Sequence, residues 1–344
     1  AQYQQYRQLL AEELGVEPSE AAHELYEVLS TGEWPDGVSL TGIMPEREIT
    51  VVGPCPYRGL AAFGEEDAPF FFGREAFAGQ LFEAVQRRSL VAVVVGSSGS
   101  GKSSTVFAGL LPRLRAEADW LIVDARPGHY PFRAVAGALT SALEPDLTET
   151  ERLLETEKLA TALQKGELDL YHVAMRALEV HSQAKRLLLV IDQFAELDTL
   201  CPEPERQRRF LEALLAAVQA GSGQRRSPSV LLLTLRADFM GQALAHRPFA
   251  DALQDGSLLL GPMDPEELRA AIEKPAELQG ATFETGLVER ILDDVGEEPG
   301  NLPLAVFALT LLWERQTYGL LTHAEYEEIG RVEGALTRYA VEVY

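Results

Sequence analysis

Residues 91–104 read Val-Ala-Val-Val-Val-Gly-Ser-Ser-Gly-Ser-Gly-Lys-Ser-Ser. An apolar, strand-like run ends at Gly96, and a glycine-rich turn closes on Gly101, Lys102 and Ser103. The spacing G-x-x-x-x-G-K-S is the P-loop pattern. Glycines let the backbone turn tightly, so that successive N–H groups converge on an anion. A helix that starts at about Lys102 adds its positive N-terminal end. Lys102 is placed to reach the β- and γ-phosphates, and Ser103 to ligate Mg²⁺. A plain flexible Gly/Ser loop would share the composition. It would not be preceded by a strand and followed by the helical spacing of Val106, Leu110, Leu111 and Leu114.

Working outward, residues 187–196 read Leu-Leu-Leu-Val-Ile-Asp-Gln-Phe-Ala-Glu. A buried strand ending in an acid is the Walker B arrangement. Asp192 at its tip would hold Mg²⁺ beside the P-loop, and Glu196 would polarise an attacking water. A third apolar run, 231–235, ends in Arg236. In a parallel sheet that tip shares an edge with the P-loop, so Arg236 is a candidate sensor of the γ-phosphate. Upstream, Phe71-Phe72-Gly73-Arg74-Glu75 offers apolar residues and a glycine turn for a base. Downstream, Gly300-Asn301-Leu302-Pro303-Leu304-Ala305 begins a helix that would close over the base from the other side. No N-K-x-D guanine signature is present, which favours adenine.

Strand-like runs near 90–95, 120–124, 187–191, 229–235 and 257–260 alternate with helical segments. The alternation predicts a parallel sheet with helices on both faces. After Gly261 no convincing strand is expected. Asp264-Pro265-Glu266-Glu267 is a strong helix start, and helical patterns continue through 284–295, 302–316, 322–329 and 331–343. Residues 3–29 read as two short amphipathic helices and 30–54 as a linker. The expected division is therefore 1–30, 31–54, an α/β domain over 55–261 and a helical subdomain over 262–344.

Composition narrows the classes. The chain has 344 residues, 46% hydrophobic and 24% charged, as in globular proteins. A net charge of −23 argues against broad binding to nucleic acid or an anionic membrane. The apolar runs are strand-length, too short to span a bilayer. There is no signal-peptide pattern, and the chain begins at Ala1, as expected of a piece of a longer one. Cys55 and Cys201 lie far apart and the six histidines are scattered, so neither a disulfide framework nor a zinc site is indicated. A reducing cytoplasm fits.

Taken together, these residues resemble the STAND NTPases, signal-transduction ATPases of the AAA+ type. The resemblance is to the bacterial novel STAND group often joined to WD-repeat propellers, and spans roughly 55–344. It rests on Cys55-Pro56-Tyr57-Arg58-Gly59-Leu60, Phe72-Gly73-Arg74-Glu75, the P-loop, Asp192-Gln193-Phe194, Thr234-Leu235-Arg236-Ala237-Asp238-Phe239, Gly261-Pro262-Met263, Leu302-Pro303-Leu304 and Val332-Glu333-Gly334-Ala335-Leu336. It implies an AAA+-like fold and an ATP/ADP switch that is inactive with ADP and self-associates with ATP. It assigns adenine contacts to Phe72, Gly73, Arg74 and Pro303, and phosphate contacts to Gly96, Ser97, Ser98, Gly99, Ser100, Gly101, Lys102, Ser103 and Ser104. Catalysis falls to Lys102, Asp192, Glu196 and Arg236, with Mg²⁺ on Ser103 and Asp192. One departure matters: the related pattern often has two acids after Asp-Gln-Phe, and here the first is Ala195. Slow hydrolysis is the consequence expected.

Residues 3–29, with Glu13-Leu14-Gly15-Val16-Glu17-Pro18-Ser19, resemble the last helical hairpin of the bacterial transcriptional activator domain. This implies a parent with an N-terminal DNA-binding effector, the switch, and a C-terminal sensor. Rival readings are a defence or cell-death sensor, a scaffold with a structural nucleotide, and, least supported, a metabolic P-loop kinase.

Overall fold

The computed structural model describes residues 52–87, 90–219, 228–254, 256–296 and 301–335. All belong to one compact unit, Val51–Tyr344. The helical hairpin expected over 3–29, and most of the helix expected over 331–343, lie outside the described residues.

Four strands form a wholly parallel sheet: β1 (Leu90–Gly96), β2 (Trp120–Ala125), β3 (Arg186–Ile191) and β4 (Ser229–Arg236). Their order across the sheet is β2-β3-β4-β1. The central strands are continuous apolar runs because both faces are covered. Leu187, Leu189, Ile191, Leu231, Leu233 and Leu235 face one side. Leu188, Val190, Val230 and Leu232 face the other. This period of two decides which side each later functional residue occupies.

The first face is covered by α3 (Pro131–Leu143), α4 (Glu149–Lys165), α5 (Leu170–Val180) and α7 (Pro204–Gln219), through Phe132, Leu139, Leu163, Val173, Phe210 and Leu214 among others. The short α6 (Glu196–Thr199) follows the tip of β3. The second face is covered by α1 (Glu75–Arg87) and by a long helix, α2, that follows the P-loop. α2 has three consecutive parts, Lys102–Ser104, Thr105–Leu110 and Leu111–Ala116, and the middle part is π-helical. Pro112 explains the irregularity. It has no N–H for the Ala108 carbonyl, and its ring displaces the preceding turn; the Leu111 N–H reaches back to the Val106 carbonyl instead. The expected core residues Val106, Leu110, Leu111 and Leu114 are all fully buried.

The strand expected at 257–260 shrinks to a single bridge between Leu259 and Val95 on the free edge of β1. Val95 N–H donates to Leu258 and Leu260 N–H to Val95, both at 3.0 Å. Two short helices, α8 (Met240–Ala245) and α9 (Arg247–Gln254), lead into it.

Beyond Gly261 come α10 (Pro265–Leu278), α11 (Leu287–Val295), α12 (Asn301–Glu314) and α13 (His323–Glu328). α10 begins as its sequence predicts. Asp264 Oδ1 accepts from Glu267 N–H at 2.8 Å, and Glu267 Oε2 accepts from Asp264 N–H at 3.1 Å. The expectation of no strand here needs a small correction. β5 (Thr282–Phe283) and β6 (Leu320–Leu321) pair in parallel, two residues each, too short to leave a period in the sequence. These helices have their own core, built on Leu268, Ile272, Leu287, Ile291, Leu309, Leu312, Trp313 and Tyr326. Tyr57 joins that core: its ring meets Trp313 edge-on at 6.1 Å, and its hydroxyl donates to the Ile272 carbonyl. Val52 and Cys55 pack against it as well. The described residues contain no helix long and apolar enough to cross a membrane.

Candidate nucleotide site

The P-loop leaves β1 at Gly96 and enters α2 at Lys102. Two close approaches fix it. A Cβ on Gly96 would lie 2.7 Å from Ser100 Oγ and 2.9 Å from the Leu260 carbonyl oxygen, so no side chain fits there. Gly101 caps α2 with φ +88°, a left-handed conformation that any larger residue adopts at a cost. Lys102 Nζ folds back onto its own loop, donating to the carbonyls of Gly96 at 3.1 Å and Ser97 at 2.5 Å. Partial burial pulls its pKa below the usual lysine range, Arg236 adds to the shift, and Asp192 opposes it. A polyphosphate there would favour the charged form that burial disfavours.

Asp192 is the first residue past β3. It lies in phase with Leu188 and Val190, and therefore on the α2 side of the sheet. Only 1% of it is exposed. Ser103 Oγ at the start of α2 donates to its Oδ1 at 2.8 Å. Thr234 Oγ1 donates to the same oxygen at 2.7 Å. Thr234 lies in phase with Val230 and Leu232, and adjacent β3 and β4 align Ile191 with Leu233, so the sheet itself sets the Thr234 hydroxyl beside Asp192. The same hydroxyl accepts the Gln193 N–H at 2.7 Å. Gln193 has φ +53°, a left-handed turn that costs a non-glycine residue about 1 kcal/mol or more and lets the chain leave the strand at once. Oδ2 of Asp192 is buried and receives no hydrogen bond; it lies 3.2 Å from Arg126 Nη2, from the residue just past β2.

This donor set fits Mg²⁺. Ser103 and Asp192 offer hard oxygens side by side, and one buried carboxylate oxygen has no hydrogen bond to lose. Among the described residues no His, Cys, Asp and Glu cluster offers a rival metal site.

Glu196 begins α6, and its Oε2 accepts the Gly128 N–H at 3.2 Å. The preceding Ala195 is buried and apolar. Arg236 ends β4 about half exposed, and its guanidinium is paired with Asp238 at 2.6 Å.

Lys102, Ser103, Arg126, Gln193, Glu196, Thr234 and Arg236 line one cavity of about 790 Å³, and Asp192 lies behind Ser103 and Thr234, which bond to it. Its floor holds Ser98, Gly99, Lys102 and Ser103; its far side holds Gln193, Glu196 and Arg236. Phe63, Phe70, Phe71 and Phe72 make an apolar wall, and Met263, Leu302, Pro303 and Val306 from the helical subdomain make the facing one. A volume of this order is what a small-molecule site needs.

Arg74 lines the cavity too, but its guanidinium is committed to protein. It donates to the Gly261 carbonyl at 2.7 Å and the Ser100 carbonyl at 3.5 Å, and lies 3.3 Å from Glu267 Oε2. It is 4% exposed, and burial lowers its pKa against the pull of Glu267. One side chain thus ties the P-loop, the strand-to-helix crossing and α10 together. Gly73 allows the contact: its φ is +83°, and a Cβ there would stand 2.3 Å from the Glu267 carbonyl oxygen.

Thr234 and Arg126 join the site without belonging to the P-loop or the Walker B string. Thr234 left a signal, as the one polar residue inside 230–235. Arg126 left the same signal as Arg236, a cation at the end of an apolar strand.

Several solved structures share this fold. The Aeropyrum pernix ORC1 protein in complex with DNA superimposes with a TM-score of 0.51 at 17% identity, over 80% of this chain and 67% of that one. The Aeropyrum pernix ORC2 protein, in ADPNP–ADP complexes, gives 0.51 at 19% identity, over 77% and 68%. The Walker-type ATPase PABY2304 of Pyrococcus abyssi gives 0.50 at 15% identity, over 80% and 73%. No curated protein matches the sequence. At such identities the structures establish the fold, that of an AAA+ P-loop ATPase. Residues 56–344 match the family described as Novel STAND NTPase 1. With the P-loop and the helical subdomain lining one cavity and Asp192 hydrogen-bonded to Ser103 at its edge, the chain belongs to that family of nucleotide-binding NTPases.

Proposed function

We propose that this chain is the ATP/ADP switch of a larger regulatory protein, with Mg²⁺ held by Ser103 and Asp192. Bound there, Mg²⁺ would neutralise phosphate charge and orient the terminal phosphate. The observation that carries the reading is the two-sided cavity: phosphate groups on the α/β side, an apolar wall from Leu302, Pro303 and Val306 on the helical side. A ligand that touches both sides links phosphate content to the position of the helical subdomain. Adenine is the base of choice, given the Phe63, Phe71 and Phe72 wall and the absence of a guanine signature. Within this reading 55–261 is the catalytic body and 262–344 the part that moves, with self-association in the ATP state and transcriptional control as the simplest output.

Each residue has a task. The P-loop N–H groups and Lys102 bind the phosphates, Arg236 reads the γ-phosphate once it leaves Asp238, and Glu196 orients water. Glu196 is poorly free for that task. Its carboxylate already accepts Gly128 N–H, the neighbouring position is Ala195, and Gln193 offers only an amide. Weak general-base assistance costs about 10²–10⁴-fold in rate. ATP would then persist long enough for assembly.

The experiment measures phosphate release and sedimentation together, with ADP and with ATP. Expected are turnover well below the about 1–100 s⁻¹ of kinases, a larger species with ATP than with ADP, and slower release still in Glu196→Gln. Brisk turnover with no change in size would overturn the switch. Retained ATP with neither turnover nor assembly would favour the scaffold reading.

A further inference from the structure

Asp192 is a buried anion, and its hydrogen-bond donors Ser103 and Thr234 are neutral. Lys102, the loop's own cation, gives its hydrogen bonds to the Gly96 and Ser97 carbonyls. The cation on Asp192 is Arg126, whose Nη2 is 3.2 Å from Oδ2. The pair is lopsided: the Asp192 side chain is 1% exposed and that of Arg126 is 55% exposed, lining the cavity. The backbone beneath Arg126 is fastened, by Gly128 N–H to Glu196 and by the His129 ring to the Leu200 carbonyl at 2.8 Å. Among the described residues, no other ion pair or hydrogen bond holds the guanidinium. The backbone is held, while the guanidinium is half exposed, with Asp192 as its ion-pair partner and Asp124 close enough to feel its charge.

We propose that Arg126 is an exchangeable counter-ion. It neutralises Asp192 while the cavity is empty, and it yields the carboxylate to Mg²⁺ only when a polyphosphate arrives to receive the guanidinium. The inference rests on the nucleotide reading above. Removing the cationic partner of a buried carboxylate is costly, so a cation at Oδ2 stabilises Asp192 with or without ligand. Guanidinium and Mg²⁺ repel each other and cannot share that oxygen in a poorly solvated site. Mg²⁺ alone must therefore evict Arg126 into water. With nucleotide, Arg126 exchanges a carboxylate for phosphate oxygens, which its planar fork matches equally well. Mg²⁺ and nucleotide then bind as a coupled pair, and the empty site resists stray divalent ions.

The test is thermal unfolding of the full chain with no nucleotide, with and without millimolar Mg²⁺. Wild type should be indifferent to Mg²⁺ alone. Arg126→Ala should melt about 3–6 °C lower, and Mg²⁺ alone should restore most of the loss. In an Asp192→Asn background, where no charge needs balancing, Arg126→Ala should shift the melt little. Arg126→Lys keeps the charge and should melt near wild type, with an intermediate Mg²⁺ response. Equal Mg²⁺ effects on wild type and Arg126→Ala, or an undiminished Arg126→Ala effect in the Asn background, would overturn the proposal. ADP is run as a separate arm on wild type. If ADP fails to raise its melting temperature, the nucleotide reading fails, and the Mg²⁺ arms still judge the counter-ion on their own.

Discussion

The chemistry of this site is concentrated on one carboxylate, and its support comes from Ser103, Arg126 and Thr234, each more than 40 residues from it in the chain. Thr234 does two things with one hydroxyl: it donates to Asp192 and accepts from Gln193 N–H. Thr234→Val keeps the shape and removes both bonds, leaving a backbone N–H orphaned beside an under-solvated carboxylate. Hydrogen bonds to charged groups contribute about 1.5–3 kcal/mol, and both partners here are almost fully buried, so a loss of that size is expected in urea unfolding. Thr234→Ser should recover most of it. If valine and serine variants unfold alike, the β-branched packing of the methyl, not the hydroxyl, is what the strand needs.

At the scale of elements, Arg74 is the crossing point. It holds α10 to the P-loop through Gly261, Ser100 and Glu267. Arg74→Met fills similar volume but leaves two carbonyls and a partly exposed carboxylate without their donor. The expected loss is about 2 kcal/mol, below that of a fully buried pair because Glu267 is partly in solvent. ADP affinity should fall with it, although the Arg74 guanidinium is occupied by protein. Calorimetry showing unchanged affinity would mean that the P-loop does not depend on this tie. Arg74 also shows where the sequence stopped being readable. The P-loop and the Walker B acid were legible because each is a local string whose spacing carries its chemistry. The partners of Asp192 meet only through strand order β2-β3-β4-β1, which brings residues 126, 192 and 234 to one edge, and those of Arg74 only through the pairing of 258–260 with β1. A single string does not encode that adjacency. Nor does it encode a two-residue β5–β6 pair, or the π-helical turn ahead of Pro112, since both are shorter than any period they could display.

For the whole molecule, the apolar cores matter more than the chain order. Two cores flank the sheet, and a third holds the helical subdomain. The third one recruits Val52, Cys55 and Tyr57 from upstream of α1, so segments on both sides of the sheet in the sequence build the core of the helical subdomain. Cutting the chain at Gly261 would therefore do two kinds of damage. It would remove Met263, Ala271, Leu302, Pro303 and Val306 from the cavity wall. It would also leave Tyr57 without Trp313 and the Ile272 carbonyl, and Phe72 without Lys274 over its ring. Apolar burial contributes about 25 cal/mol per Å², so a wall of this kind can carry several kcal/mol of ligand affinity before the costs of ordering are subtracted. The expected outcome for a 52–261 fragment is ADP binding weakened by at least about tenfold, or about 1.4 kcal/mol, and a tendency to aggregate through the newly exposed apolar surface. Pro303→Gly in the intact chain separates the two effects. It removes a wall residue at the start of α12 while the rest of the third core stays, so weaker ADP binding without aggregation is expected. A soluble fragment that binds ADP as tightly as the whole chain, alongside an unaffected Pro303→Gly variant, would show that the helical subdomain only neighbours the nucleotide site and does not respond to what it holds.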